Sequence, residues 1–242
     1  MSDEIEEFGD YFDKLSPEKL WVAAGKGGVQ KVKEILRNNP TLVNWRNKEE
    51  YSNTALHHAC LCGHDSIVAI LLAHPDIDVN QKDSDGATPF MFACRNGNTS
   101  CVRLLLKDQR VKVNERSNTG YTPLWWAAHF GQLDTIKWWI ASGREMDLGQ
   151  PRDVDKTDAI GKAKKRGQTE VATLLEGFKE NPIKTRSEVR DELEITGQYI
   201  YHLSFISFSL TESELVKLIR PSIRFPSDHS ANTDQRAVSR LP

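Results

Sequence analysis

One four-residue phrase recurs three times at a single spacing: Thr54-Ala55-Leu56-His57, Thr88-Pro89-Phe90-Met91 and Thr122-Pro123-Leu124-Trp125 begin 34 residues apart. Each is followed at fixed offsets by an alanine and then a glycine: Ala59 and Gly63, Ala93 and Gly97, Ala127 and Gly131. A period of that length marks stacked supersecondary units, none of which can bury its apolar face alone. Neighbours must supply the missing surface, so the pattern predicts an elongated solenoid with a long exposed face.

The residues explain the pattern locally. In Thr88-Pro89 the threonine hydroxyl can take an orphan amide, and the proline, in the first helical turn, sacrifices no hydrogen bond. Ala93, with Cys94 or its counterparts Cys60 and Ala128, keeps one helix face thin so that the next unit can approach. Gly97 permits the left-handed conformation that ends the helix. A second helix follows from the i, i+3, i+4 spacing of Val102, Leu105 and Leu106. Asp85-Gly86 and Thr119-Gly120 supply tight turns between units.

The phrase, its Ala and Gly, the apolar doublets Ile67-Val68 and Leu71-Leu72, and the closing Asp78-Val79-Asn80 resemble the ankyrin repeat family. Degenerate copies flank the three clear ones. At the front, Leu20-Trp21-Val22-Ala23-Ala24 leads through Gly27 to Val43-Asn44; at the back, Asp158-Ala159-Ile160 leads through Ala163 and Gly167 to Leu174-Leu175. The resemblance implies an all-α fold of stacked helix-turn-helix units joined by β-turn loops. Five repeats are expected across residues 17–181, divided 17–47, 48–82, 83–116, 117–153 and 154–181. An acidic segment, 1–16, precedes them, and a charged linker helix, 182–197, follows. A tail, 198–242, is expected to be partly disordered.

The end repeats are expected to be caps that turn a polar face to water. Ser16-Pro17-Glu18 reads as a helix start, while Lys162, Lys164, Lys165 and Arg166 stand where earlier repeats are apolar or neutral, which makes the fifth pair look terminal. Ser187–Thr196 reads as a short charged helix ended by Gly197, after a linker at Asn181-Pro182. In the tail, Thr211 and Glu214 form a capping box for a helix through Arg220, and the chain is polar from Ser227 onward.

With 242 residues, 38% of them hydrophobic, the chain can bury a sizeable core, and no stretch approaches the ~20 apolar residues of a membrane span. The acidic N-terminus lacks the layout of a secretion signal, so a cytoplasmic site is expected, with the nucleus open. Four cysteines on repeat helices, Cys60, Cys62, Cys94 and Cys101, read as reduced core residues. Net charge is −2, but the fifth repeat and its sequel are basic. Lys162–Arg166 resembles a nuclear import signal; without aromatic-interleaved basic patches or a base-reading motif, nucleic acid is not the expected partner.

Two segments imitate other chemistry. Lys26-Gly27-Gly28-Val29-Gln30-Lys31-Val32 resembles a phosphate-binding loop, but Gln30 stands where a glycine is needed and Val32 where a magnesium-binding hydroxyl is needed. His57-His58-Ala59-Cys60-Leu61-Cys62-Gly63-His64 is dense in zinc-ligand types. On a helix, however, Cys60 points away from the face shared by His58 and Cys62. No cofactor, metal site or catalytic constellation is expected.

Function is therefore expected on the surface that packing leaves free. In ankyrin repeats, partners are gripped at the turn tips and at the two residues before the inter-helix glycine, which line the concave face. By position this implies Leu61 with Cys62, Arg95 with Asn96, and His129 with Phe130. Tips are implied at Arg46, Lys82, Asp85, Arg116, Asn118 and Tyr121. Aromatic and arginine side chains together are the mix enriched in binding hot spots. Trp126 and Trp139 fall at positions the repeat buries, whereas Trp125 and Trp138 are candidates for partial exposure and partner contact. Leu72 with Asp78-Val79-Asn80 is similar to the target of asparagine hydroxylases that modify ankyrin repeats. The expected protein is a monomeric, non-catalytic binder of another protein. The alternative is an adaptor in a ubiquitin ligase or transcription-type complex, with the tail recruiting the machinery.

Overall fold

The threonine hydroxyls cap their helices as the repeated phrase predicts. Thr54, Thr88 and Thr122 Oγ1 accept from the amides of His57, Met91 and Trp125 at 3.4, 3.4 and 3.2 Å. In the fifth copy Asp158 does the same work, its Oδ1 accepting from Gly161 N at 2.7 Å. The structure, a computed structural model, describes residues 17–149 and 157–195.

Five helix pairs follow one another in these segments: α1 (Pro17–Gly25) with α2 (Val29–Asn38), α3 (Ala55–Cys62) with α4 (Asp65–Leu72), α5 (Pro89–Asn96) with α6 (Thr99–Lys107), α7 (Pro123–His129) with α8 (Leu133–Ser142), and α9 (Ala159–Lys165) with α10 (Thr169–Glu180). The first helices α1, α3, α5, α7 and α9 stack in sequence, and the second helices form a parallel layer behind them. No strand occurs among the described residues, only an isolated bridge between Asn47 and Asn53. The architecture is an all-α repeat solenoid.

Stacking depends on the thin faces. Ala59, Ala93, Ala127 and Ala163 are fully buried, which lets Leu56, Phe90 and Leu124 pack between layers with Val68, Val102, Ile136 and Val171. Trp139, also fully buried, meets Phe90 edge-to-face at 5.0 Å and so bolts the fourth repeat to the third. Side-chain to backbone hydrogen bonds fasten repeat to repeat as well. His64 Nε2, Asn98 Nδ2 and Gln132 Nε2 each reach back to a first-helix carbonyl of the preceding repeat, at Gly25, Cys60 and Arg95, over 2.9, 2.7 and 3.1 Å. The inter-helix glycine makes room for them. A Cβ on Gly97 would lie 2.1 Å from Gln132 Oε1, and its φ of 69° favours glycine independently.

The Val-Asn closures form a second ladder. Asn44 Oδ1 accepts from Asp78 N, Asn80 Oδ1 from Lys112 N and Asn114 Oδ1 from Asp147 N, at 2.8, 2.7 and 3.0 Å. The Asn80 amide is engaged at both ends, since its Nδ2 also donates to Arg110 O at 2.8 Å.

The chain beyond the fifth pair differs from its expected form. Asn181-Pro182, read as a linker ahead of a helix at Ser187–Thr196, is itself the helix start: Asn181 Oδ1 caps Lys184 N at 3.0 Å and Pro182 occupies the first turn, opening α11 (Pro182–Glu192). This helix is docked against α8 and α10, burying Thr185 and Val189. Arg186 Nε and Arg190 Nε donate to the last carbonyls of α8, Ile140 O at 3.1 Å and Ala141 O at 2.8 Å, and Lys137 pairs with Glu192. The second helix of the fifth pair is therefore partly covered, while Lys164, Lys165 and Arg166 at the end of its first helix are exposed as expected of a cap. Lys162 is not a solvated cap residue: it is 5% exposed, its ammonium 4.5 Å from the Trp125 ring centre. The acidic segment before Pro17, and the capping box and polar stretch read in the tail, lie outside the described residues.

Candidate protein-binding face

The first helices α3, α5 and α7 each bury their first three residues and the small pair Ala59-Cys60, Ala93-Cys94 or Ala127-Ala128, and turn the two residues before the inter-helix glycine outward. Leu61, Cys62, Arg95, Asn96 and Phe130 are exposed, and His129 is half-buried. Cys62 thus departs from the expected core; Cys60, Cys94 and Cys101 are buried. The difference is one of register, because Cys62 holds the position before the inter-helix glycine, where Asn96 and Phe130 stand.

The two tryptophans of α7 exchange their expected places. Trp125 is 5% exposed, filling the slot that His57 and Met91 occupy in α3 and α5, with Tyr121 stacked on it at 3.8 Å and 23°. Trp126 is half-buried and carries the outward cluster. Its ring lies 6.0 Å from that of Phe130, nearly parallel at 13°, and the Arg95 guanidinium sits 5.0 Å from the Trp126 centroid and 5.5 Å from that of Phe130. A signal for this was present in the sequence. Its counterparts, His58 and Phe92, are half-buried too, and the variety at that position contrasts with the invariably small residue that follows. Trp138 is half-exposed as expected, with Arg103 3.9 Å above its ring.

The column continues one repeat further than expected. Arg166, at the C-terminal end of α9, donates from Nη2 to His129 Nε2 at 2.6 Å; since a guanidinium only donates, that imidazole nitrogen is an acceptor. His129 in turn lies 4.6 Å from the Phe130 ring. From Arg95 to Arg166 the face is continuous through contact.

Most turn-tip candidates are engaged between repeats. Arg46 Nη2 donates to Lys82 O at 2.7 Å, Lys82 Nζ to Arg116 O at 3.0 Å, and Arg116 Nη2 to Asp147 Oδ2 at 2.7 Å. Asn118 Nδ2 donates to Ser84 O at 3.0 Å. Lys82 is further paired with Glu115 at 2.8 Å. Asp85 is exposed, while its neighbour Asp83 is buried and fixes the turn by accepting from Asp85 N and Ala87 N at 2.9 and 2.7 Å.

The imitative segments have their polar groups occupied. His57 is fully buried: its Nδ1 accepts from Thr54 N at 3.1 Å and its Nε2 meets Ala87 O at 3.1 Å, so Nε2 carries the proton. Burial, with Arg46 nearby, outweighs that carbonyl and lowers its pKa from 6.5 to about 4. His58 and His64 likewise spend ring nitrogens on Trp21 O and Gly25 O, at 3.1 and 2.9 Å. Among the described residues no group of three or more His, Cys, Asp or Glu side chains is placed to hold a metal. In the glycine pair after Lys26, the amides of Gly28, Val29 and Val32 are bonded to backbone carbonyls rather than turned toward a ligand. No described helix is long and apolar enough to cross a membrane.

A protein-family model for ankyrin repeats, written over three copies, matches residues 13–83 and again 75–150. Such repeats are generally protein–protein interaction modules and typically non-catalytic. The match spans more than half of the chain and takes in the first four helix pairs with their glycine turns. The chain is a member of the ankyrin repeat family.

Proposed function

We propose that this protein is a non-catalytic module that binds a protein partner on the exposed face of its first helices, centred on the third to fifth repeats. The observation that carries the reading is the Arg95–Trp126–Phe130 cluster. Phe130 is 43% exposed, and the arginine is spread over both rings. The arrangement spends no backbone or capping requirement of the repeat. A rigid scaffold presenting ordered aromatic and arginine anchors loses little conformational entropy on binding, so few anchors suffice. With Arg46, Lys82, Arg116 and Asn118 engaged between repeats and Trp125 buried, the footprint contracts to Leu61, Arg95, Asn96, Trp126, His129 and Phe130, with Asp85 and Tyr121 at its edge. A monomer acting in the cytoplasm or nucleus belongs to the same proposal; the three buried, unpaired thiols fit a reducing compartment.

The test compares proteins captured by the full chain, by the chain lacking residues 198–242, and by the Arg95→Ala, Phe130→Ala double variant, each checked for unchanged melting temperature. A partner retained by the truncated chain and lost from the double variant supports the proposal. Partners that follow the tail and ignore the double variant would move the function to residues 198–242 and favour the adaptor reading.

A further inference from the structure

We infer that the face between the third and fifth repeats selects an acidic, extended peptide segment with an aromatic or aliphatic side chain between two carboxylates. This deepens the protein-binding proposal above and rests on it. The first helices α3, α5, α7 and α9 contain no aspartate or glutamate. On the turn-tip and closure edges the protein pairs its cations with carboxylates: Lys82 with Glu115, Arg110 with Asp108, Arg116 with Asp147. Arg95 and Arg166, both exposed, meet aromatic rings and an imidazole instead, and neither has a carboxylate partner among the described residues.

The contacts these arginines do make leave donors to spare. Contact with ring faces takes up none of the N–H donors of the Arg95 guanidinium, which form a fork matched to a carboxylate. Arg166 uses one nitrogen on His129 and keeps the rest. Between the two arginines lie Trp126 and Phe130, an apolar platform, and Leu61, 38% exposed, extends it toward the second repeat. Through the Arg95–Phe130, Phe130–His129 and Arg166–His129 contacts, at 5.5, 4.6 and 2.6 Å, the two guanidinium groups lie within about 15 Å of each other. At ~3.4 Å per residue that is about four residues of extended chain at most. The complementary segment therefore carries two acids about four positions apart, with the apolar residue between them.

A peptide fits better than a nucleic acid. The exposed cations of this column are few, Arg95 on α5 with Lys165 and Arg166 at the end of α9, where a single strand is tracked by a longer basic groove.

A random 16-residue peptide library displayed on phage is selected on the full chain, and the enriched peptides are remade with a fluorophore for polarisation titrations. Expected are sequences with the acid–apolar–acid spacing. Arg95→Glu and Arg166→Glu should each weaken binding about tenfold and flatten its dependence on salt, and exchanging the peptide's acids for lysine should restore binding to the reversed variants. Circular dichroism melts confirm that each variant is folded. Peptides lost with Phe130→Ala but indifferent to both charge reversals overturn this inference and leave the protein-binding proposal standing. Peptides that ignore all three substitutions, or a failure to enrich any, overturn both. Tighter binding of a 20-nucleotide single-stranded RNA that competes with the peptides, or a dimer in sedimentation that dissociates on charge reversal, assigns the face to another occupant and overturns it.

Discussion

Protonation of His57 should make the second repeat the acid-sensitive joint of the stack. Its Nδ1 accepts from Thr54 N and its Nε2 donates to Ala87 O in the next repeat, so one neutral imidazole both caps α3 and ties two repeats together. Adding a proton to Nδ1 sets it against the Thr54 amide in a fully buried site, and burial holds the folded-state pKa at about 4. The unfolded chain takes up that proton below pH 6.5, whereas the folded chain refuses it until about pH 4. Stability is therefore complete above pH 6.5, falls through the interval and levels off below pH 4. At ~1.4 kcal/mol per pKa unit, the loss between pH 7.5 and 4.5 is about 2–3 kcal/mol. His57→Met isolates it, because α5 places Met91 in the same slot behind the same threonine cap. At pH 7.5 the variant should be less stable by about 2 kcal/mol, having left Ala87 O and the Thr54 amide without their partner. At pH 4.5 that deficit should vanish or invert. Urea unfolding of both proteins at the two pH values measures the double difference, in which His58, His74 and Asp83, also shifted by burial, cancel. Equal losses in the two proteins, within about 0.5 kcal/mol, would refute the reasoning.

Other perturbations address the rest of the stack. Trp139→Ala removes a fully buried ring and its edge-to-face contact with Phe90, and should cost about 3–5 kcal/mol in thermal or urea unfolding. Arg186→Ala with Arg190→Ala frees the α8 carbonyls and should raise hydrogen exchange across α11 and the end of α8, leaving α1 to α5 protected as before. In the native protein one thiol of four should react rapidly with dithiobis-nitrobenzoate. That thiol is the exposed Cys62, because burial pushes Cys101 up to about 12 and raises Cys60 and Cys94 strongly. Rapid labelling of two or more would mean that the layers open.

The face proposed for binding was only partly legible in advance. Counting back from the inter-helix glycine located Leu61, Arg95, His129 and Phe130, and the same count in the fifth repeat leads to Arg166. It did not locate Trp126. Helical periodicity gives two adjacent tryptophans nearly equal claims to the core, and which is buried depends on where Tyr121 and Lys162 come to rest, a matter of the neighbouring turn and repeat. The turn-tip arginines and lysine looked free in the sequence for a similar reason: their partners lie 31 to 36 residues away, within reach only once the repeats are stacked.

The sequence by itself determined the repeat. A 34-residue period, Thr-Pro caps, paired small residues and glycine turns are local instructions, and each helix pair obeys them because capping, left-handed turns and thin faces act within a few residues. Tertiary structure decided what a single repeat cannot know. It folded α11 onto the second helices of the fourth and fifth repeats, buried Lys162 beside Trp125, engaged Arg46, Lys82 and Arg116 between repeats, and left Arg95 over Trp126 and Phe130 facing outward. Those outcomes depend on which surfaces meet at long range, where burial and ion pairing are settled by neighbours that the local pattern does not name.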